Sequence, residues 1–332
     1  MLKKIMLSAI TVMSLTTFSF AKNEIINFNN DKLELNNKVI NQETKNVKYY
    51  SLNKILYQKK YTIGKRITSI NTILSYITYG NYSGNGTDKD TLLSIGIFFS
   101  HTYNQNLNSF NIDIRTTKID YENDDSSKIN DITLILNGTN PREQLYGKFG
   151  IHYVSADAKE LSKGLIFIGG VNKYKYYSGG FGSAGVDIYV RRLNDLSNTV
   201  VQFTPNVNYL KYLPDSRSIK FITSIDIAKS SENLGPENKT LHYGLNFTTK
   251  YFTPKYNIAG GIFYGKETGL VGNSGYIAYS STEERKYGIN GEFTYYINKK
   301  MNINYKFIWN KYKSKDGNPS LKTNTLLFTY KF

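Results

Sequence analysis

The last twelve residues, from Leu321 to Phe332, have the sequence LKTNTLLFTYKF and decide the fold class. Counted back from Phe332, every second residue is apolar or aromatic: Tyr330, Phe328 and Leu326. The residues between them are mostly polar. A period of two residues is typical of a β-strand whose two faces meet different surroundings. The sequence therefore predicts a two-faced terminal strand.

This ending resembles the terminal strand of bacterial outer-membrane β-barrels, which finishes on an aromatic residue. The resemblance implies that the strand closes a barrel. It also implies that the barrel assembly machinery of the outer membrane binds the chain through Phe332. If so, the upstream chain should consist of further strands of the same kind.

Alternating segments of about ten to fifteen residues do precede it, separated by Gly, Asn, Asp, Ser and Pro. In the clearest of them, from Met301 to Trp309, large apolar residues alternate with amides and a lysine. Strands of soluble β-proteins are usually shorter, about five or six residues, and their outer face is polar. A strand with one face this apolar and the other this polar fits between lipid and an aqueous lumen.

Connector lengths give an independent indication of the strand number. Counted back from the C-terminus, predicted long connectors such as 267–283 and 230–239 mostly alternate with short ones such as 253–255, 214–216 and 138–141. Outer-membrane barrels have short periplasmic turns and longer external loops. The sequence therefore predicts an all-β fold, a closed antiparallel transmembrane β-barrel over residues 62–332. It should have about fourteen strands, or about twelve if weak early segments merge.

The first residues direct the chain out of the cytoplasm. Lys3 and Lys4 precede an apolar run that ends in small residues, which predicts a signal peptide over residues 1–21 with cleavage after Ala21. Residues 22–61 lack a sustained period, so we expect a periplasmic tail or, alternatively, a plug in the barrel. The expected location is the outer membrane of a Gram-negative bacterium.

Composition agrees with a membrane barrel and limits the partners. The chain has 29 Tyr, 18 Phe, one Trp and no Cys, with a formal net charge of +16. Tyr favours the boundary between lipid and water. Lys and Arg are scattered and form no nucleic-acid motif, so we expect outer-membrane lipids, lipopolysaccharide and small solutes as partners and no nucleic acid.

No cofactor motif is convincing. The glycines of the run GFGSAG, which begins at Gly180, match a dinucleotide fingerprint, but the following residues predict a strand where a helix is required. A tight turn is the simpler interpretation of this run. We expect no cofactor.

The chain contains three histidines, His101, His152 and His242, and none has the spacing of a metal site. His242 is the best enzymatic candidate, since it follows a predicted external loop that contains Ser231 and Glu232. An ordinary polar residue facing the lumen is the preferred interpretation, because no nucleophile motif accompanies it. We therefore expect neither a metal site nor catalytic residues, and no enzymatic activity.

Side chains alternate between the two faces of a strand, and this alternation predicts which charged side chains line a pore. They carry both signs with cations in excess, which favours passage of anions. The predicted pore-lining residues are Asp113, Arg115, Lys148, His152, Asp187, Arg191, Lys220, Asp226, Lys250, Lys286, Glu292 and Lys306.

These observations favour a monomeric porin-like channel for passive diffusion of small anionic or neutral hydrophilic solutes. Two alternatives are a plugged transporter of hydrophobic compounds and the barrel component of a polymer or protein export system. A hydrolase centred on His242 is a further, less favoured one.

Overall fold

The computed structural model describes residues 69–332 apart from 86, 104–107, 123–124, 158–163, 194–197 and 279–281. The signal peptide predicted over 1–21 and the tail or plug predicted over 22–61 lie outside these residues. Within the described part, fourteen long antiparallel strands form one closed barrel. The predicted barrel class and strand number are confirmed.

The barrel strands follow one another in the order of the chain. They are β1 (Ser69–Ser83), β2 (Lys89–Tyr103), β3 (Asn108–Tyr121), β4 (Ser126–Asn140), β5 (Leu145–Ala156), β6 (Gly164–Tyr177), β7 (Gly180–Leu193), β8 (Asn198–Leu213), β9 (Arg217–Leu234), β10 (Lys239–Phe252), β11 (Tyr256–Glu267), β14 (Glu284–Tyr296), β15 (Met301–Lys313) and β16 (Ser320–Lys331). The connector after β11 contains the short strands β12 (Val271–Gly272) and β13 (Ile277–Ala278) and, between them, a 3-10 turn (Asn273–Gly275).

The terminal segment closes the barrel, as the resemblance of its ending to terminal barrel strands implies. β16 pairs with β1 from Thr72, opposite Lys331, to Ser83, opposite Ser320. The backbone N–H of Phe332 also donates to the carbonyl of Asn71 at 2.9 Å. Closure leaves no strand edge unpaired, which a chain surrounded by lipid requires.

The outer surface is apolar. Ile97 and Val207 each expose 57 % of their surface and Ile262 exposes 59 %. Water would disfavour a continuous belt of such side chains, whereas the hydrocarbon core of a bilayer favours it. The polar partners in the alternation, such as Asn304 and Asn310, are buried on the inner side.

The two ends of the barrel differ. We call the end where β1 begins and β16 ends the turn end, and the opposite end the loop end. Turn-end connectors include 178–179, 214–216 and 253–255, whereas the connector 268–283 lies at the loop end. The described residues contain no helix long and apolar enough to cross a membrane.

Three predicted connectors differ from the structure. Residues 230–239 do not form a long loop, because β9 extends to Leu234 and β10 begins at Lys239, leaving a four-residue turn, 235–238. β4 extends to Asn140, so the turn predicted at 138–141 occupies 141–144. The glycine run from Gly180 lies within β7 and not in the turn, which occupies 178–179. Polar and glycine residues that suggest turns in a soluble protein here lie within long strands.

Candidate functional site

Residues 268–278, the first part of the connector 268–283, fold into the barrel, and we call them the inward loop. Leu270 and Val271 near its start are only 1 % and 3 % exposed. Each anchors a small apolar cluster on the barrel wall. Leu270 packs with Leu193, Val200, Ala228 and Leu234, and Val271 packs with Ile135, Ile166, Ile168 and Tyr189. Burial of these side chains holds the loop in the lumen.

One side chain of β8 binds the loop backbone at two points. The Gln202 amide donates from Nε2 to the Val271 carbonyl at 2.9 Å, and its Oε1 accepts from the Val271 N–H at 2.8 Å. Gln202 is 1 % exposed. Both backbone groups of a buried loop residue are thereby satisfied, as burial requires.

Three of the predicted pore-lining residues also hold the loop. Arg191 donates to the Gly269 carbonyl at 2.9 Å, and the Lys148 ammonium lies 3.4 Å from the Ser274 carbonyl. His152 lies between two acceptors. Its Nδ1 is 2.9 Å from the Gly275 carbonyl and its Nε2 is 2.9 Å from the Asp131 carboxylate.

The same side of the lumen balances its charges by ion pairing. Lys148 lies 2.8 Å from Asp187, and Arg115 lies 2.9 Å from Asp131. We define the anchoring wall as the inward side chains of β4 to β8 that hold the loop or pair with those that do. They are Asp131, Lys148, His152, Asp187, Arg191 and Gln202.

Beside the inward loop lies a cavity of about 850 Å³, which also reaches side chains of β9, β10, β14 and β15. We call three of these, Lys220, Lys250 and Lys306, the lysine wall. Lys220 is directly opposite Lys250 in the sheet, and Lys306 is directly opposite Glu292. Lys250 lies 3.5 Å from Glu292. Lys220 and Lys306 form no ion pair with another described residue.

Amide side chains occupy much of the remaining cavity surface. Those that line it are Asn137, Asn172, Asn206, Asn208, Asn246, Asn273, Asn290 and Asn310. An amide offers both donors and acceptors, so such a surface can replace part of the hydration shell of a polar solute. The arrangement can therefore bind polar solutes and favours anions near the lysine wall.

The predicted pore-lining residues occupy three different places. Those that line the cavity are Lys148, Asp187, Lys220, Asp226, Lys250, Glu292 and Lys306. Asp113, Arg115, His152 and Arg191 lie on the neighbouring wall, where Asp113 accepts from the Tyr76 hydroxyl at 3.1 Å. Lys286 is instead at the loop end, 3.5 Å from Glu237, next to a register shift between Arg285 and Tyr287.

His242 is not joined by the residues that would make it catalytic. It is 1 % exposed and lies opposite Ala228 of β9. The Ser231 hydroxyl donates to the Asn198 side chain at 2.8 Å, and the backbone N–H of Glu232 donates to the same oxygen. The described residues contain no group of three or more His, Asp or Glu side chains that could hold a metal ion.

The inward loop was not predicted, although its sequence carries a signal. The segment GLVGNSGYIA, from Gly269 to Ala278, places apolar residues between glycines in what appeared to be an external loop. Gly269 and Gly275 have φ of +67° and +111°. A Cβ on Gly275 would lie 2.5 Å from the Ile168 side chain, so glycine permits the close approach to β6.

No protein-family model and no curated protein matches this chain. Solved structures of similar fold include the outer membrane protein Omp33 from Acinetobacter baumannii, which is 12 % identical with a TM-score of 0.45, covering 81 % of this chain and 100 % of that one. The deltaS2S3 mutant of the monoaromatic hydrocarbon channel TodX is 8 % identical with a TM-score of 0.49, covering 80 % and 91 %. A bacterial polysaccharide outer membrane secretin is 9 % identical with a TM-score of 0.49, covering 81 % and 100 %. At these values the likeness concerns the barrel alone, so the fold assignment rests on the strand pairing itself.

Proposed function

We propose that this chain is an outer-membrane channel for passive diffusion of small hydrophilic solutes, with a preference for anions over cations. The observation that carries the proposal is the cavity between the inward loop and the lysine wall. It is polar and large enough for a small solute, and its cations (Lys148, Lys220, Lys250, Lys306 and Arg285) outnumber its carboxylates (Asp187, Asp226 and Glu292). The location follows from the predicted signal peptide and the apolar outer belt.

Passage would depend on the two sides of the lumen acting together. The inward loop narrows the lumen, so a solute that passes must exchange part of its hydration shell for contacts with the wall. Asparagine side chains supply such contacts for neutral and charged solutes alike. The lysine wall lowers the energy of an anion at this depth and raises that of a cation, which produces selectivity without a tight binding site.

The proposal is tested by refolding the full chain, inserting it into planar bilayers and measuring single-channel conductance. Under a KCl gradient, we expect open channels with a reversal potential on the anion-selective side. A second protein lacking residues 23–60 tests the predicted plug, since removal of a plug would raise the conductance.

Absence of conductance from both proteins would refute the channel. A cation-selective reversal potential would leave a channel but refute the role assigned to the lysine wall. Heat-induced change in electrophoretic mobility controls for folding, because closed barrels migrate differently before and after unfolding.

One observation favours the transporter of hydrophobic compounds as a second candidate. Tyr174, Tyr176 and Phe181 form an aromatic cluster with ring centroids 5.3 to 5.8 Å apart, and Tyr174 and Phe181 line the cavity. Such rings could bind an apolar group. Uptake of an apolar fluorescent compound into vesicles that hold the barrel, without ion conductance, would favour this candidate over the channel.

A further inference from the structure

Four lysines surround one carboxylate at the loop end of the barrel. Glu237, in the turn between β9 and β10, contacts Lys239, and it lies 2.8 Å from Lys313, 3.2 Å from Lys266 and 3.5 Å from Lys286. The lysines come from four neighbouring strands, β10, β11, β14 and β15. We call these five residues the Glu237 cluster.

The Glu237 cluster lies on the outer surface and not in the lumen. Lys313 is two positions from Lys311, and Lys311 is directly opposite the exposed Tyr287, so Lys313 shares a strand face with side chains that point away from the barrel. Leu241 and Tyr264, on β10 and β11, are 58 % and 68 % exposed. Lys266 is also directly opposite Tyr243, which is likewise exposed.

On the same strands, further from the loop end than the lysines, the outer surface is aromatic and aliphatic. The Tyr287 and Trp309 rings contact each other with centroids 5.7 Å apart, on the strands that also carry Lys286 and Lys313. Aromatic side chains of this kind mark the boundary between hydrocarbon and headgroups. The four ammonium groups therefore lie at the depth of lipid headgroups.

The cluster has more positive than negative charge. Glu284 contacts Lys286 as a second carboxylate, so four cations meet two anions. The ammonium groups of Lys239, Lys313 and Lys266 hold the pKa of the Glu237 carboxyl well below its ordinary value, which keeps it ionised. With both carboxylates ionised, the four lysines and two glutamates still leave a net charge of +2 at this surface.

We propose that the Glu237 cluster is a binding site for the phosphorylated headgroup of a lipid in the leaflet at the loop end. Phosphate oxygens would accept hydrogen bonds from the lysines, and the acyl chains would lie against the apolar face formed by Leu241, Tyr243, Tyr264 and Tyr287. A lipid of this class fits because it supplies both the anionic group and the apolar part that the surface lacks. This site is independent of the channel function proposed above.

The test compares lipid binding by the full-length barrel and by the variant Lys266→Gln with Lys313→Gln. The probe is lipid A carrying two phosphate groups, titrated into the barrel in dodecylmaltoside micelles and followed by native mass spectrometry. Each lysine near an anionic lipid surface contributes about fivefold in affinity, so we expect the double variant to bind roughly thirtyfold more weakly. Lipid A from which both phosphates have been removed should bind the two proteins equally.

Lys118→Gln is the matched control. Lys118 is also exposed near the loop end of its strand, but Asp120 at 2.6 Å already balances its charge. We expect this control to bind lipid A as the unsubstituted barrel does. A third variant, Glu237→Gln, distinguishes a lipid-binding role of the cluster from a role in stabilising the turn. It removes the carboxylate that competes with phosphate for the lysines, so it should strengthen lipid binding.

Equal binding of lipid A by the barrel and the Lys266→Gln, Lys313→Gln variant would overturn the proposal, as would equal binding of the phosphorylated and dephosphorylated lipids. Weaker binding by Glu237→Gln would also contradict it, since a cluster that only stabilises the turn would lose its anchor. Conductance of the same proteins in bilayers reports on the channel separately.

Discussion

Lysines on the two sides of the lumen have different partners. On the anchoring wall, Lys148 lies 2.8 Å from Asp187, and its ammonium also approaches the carbonyl of Ser274 in the inward loop. On the lysine wall, Lys220 lies opposite another lysine, Lys250, and forms no ion pair with a described residue. The first lysine contributes to structure, whereas the second leaves its charge available to a solute.

The difference follows from where the inward loop lies. A loop that enters the lumen brings unpaired backbone carbonyls with it, and cations on the covered side satisfy them. These buried cations then require carboxylates to balance them, as Asp131 and Asp187 do. On the uncovered side the loop brings no carbonyls, and Lys220 and Lys306 line the cavity without an ion pair to a described residue.

The largest expected effect comes from detaching the loop with Gln202→Leu. The substitution leaves the N–H and carbonyl of Val271 buried without their partner, which should lower the free energy of unfolding by about 2 to 4 kcal/mol. If the loop leaves the lumen instead, conductance should rise. Unfolding in urea and single-channel recording measure the two outcomes.

Asn208→Leu is the control for this prediction. Asn208 lies on the same strand and lines the cavity, but it contacts Ser183 and Asn206 and not the loop. Unchanged stability and conductance in Gln202→Leu would show that the apolar clusters around Leu270 and Val271 hold the loop by themselves.

A smaller effect is expected from removing the charges of the lysine wall. Replacing Lys220, Lys250 and Lys306 together by Gln should reduce the permeability of anions relative to cations by about tenfold. Each charge at about 8 Å in water lowers the energy of an anion and raises that of a cation by about half a kcal/mol, and salt at about 0.1 M roughly halves the sum. The reversal potential under a KCl gradient measures this change.

The matched control removes a balanced pair from the anchoring wall. Lys148→Gln combined with Asp187→Asn deletes one charge of each sign, so we expect the selectivity to stay the same. If this control changes the selectivity as much as the triple substitution does, the two walls are not electrostatically distinct.

The sequence alone predicts the barrel, but it does not predict which inward-facing charged side chains pair with each other or with the inward loop. Strand alternation has a period fixed by backbone geometry, so the two-faced strands could be predicted from short windows, whereas closure by β16 came from the resemblance of the chain's ending to terminal barrel strands. The same alternation places Lys148 and Lys220 alike on an inward face. Which of them meets Asp187 or the inward loop depends on contacts between strands distant in sequence, and no local pattern contains them.

Strand alternation also could not predict two further features, the position of Lys286 and the inward loop. The register shift beside Arg285 puts Lys286 at the rim with Glu237, because a bulge changes which face the following side chain occupies. The inward course of residues 268–278 depends on glycines with positive φ, whose presence is also compatible with an ordinary external loop.

The smallest expected effect concerns the carboxylate nearest the lysine wall. Glu292 lies 3.5 Å from Lys250, and its other oxygen accepts from the Asn304 amide at 2.8 Å. Glu292→Gln preserves the size of the side chain and an oxygen for Asn304 but removes the negative charge. One charge at this depth contributes about half a kcal/mol, so the preference for anions should rise by about twofold. A lower preference in the reversal potential would mean that Glu292 is needed to hold Lys250 in the lumen, and the lysine wall would then depend on ion pairing just as the anchoring wall does.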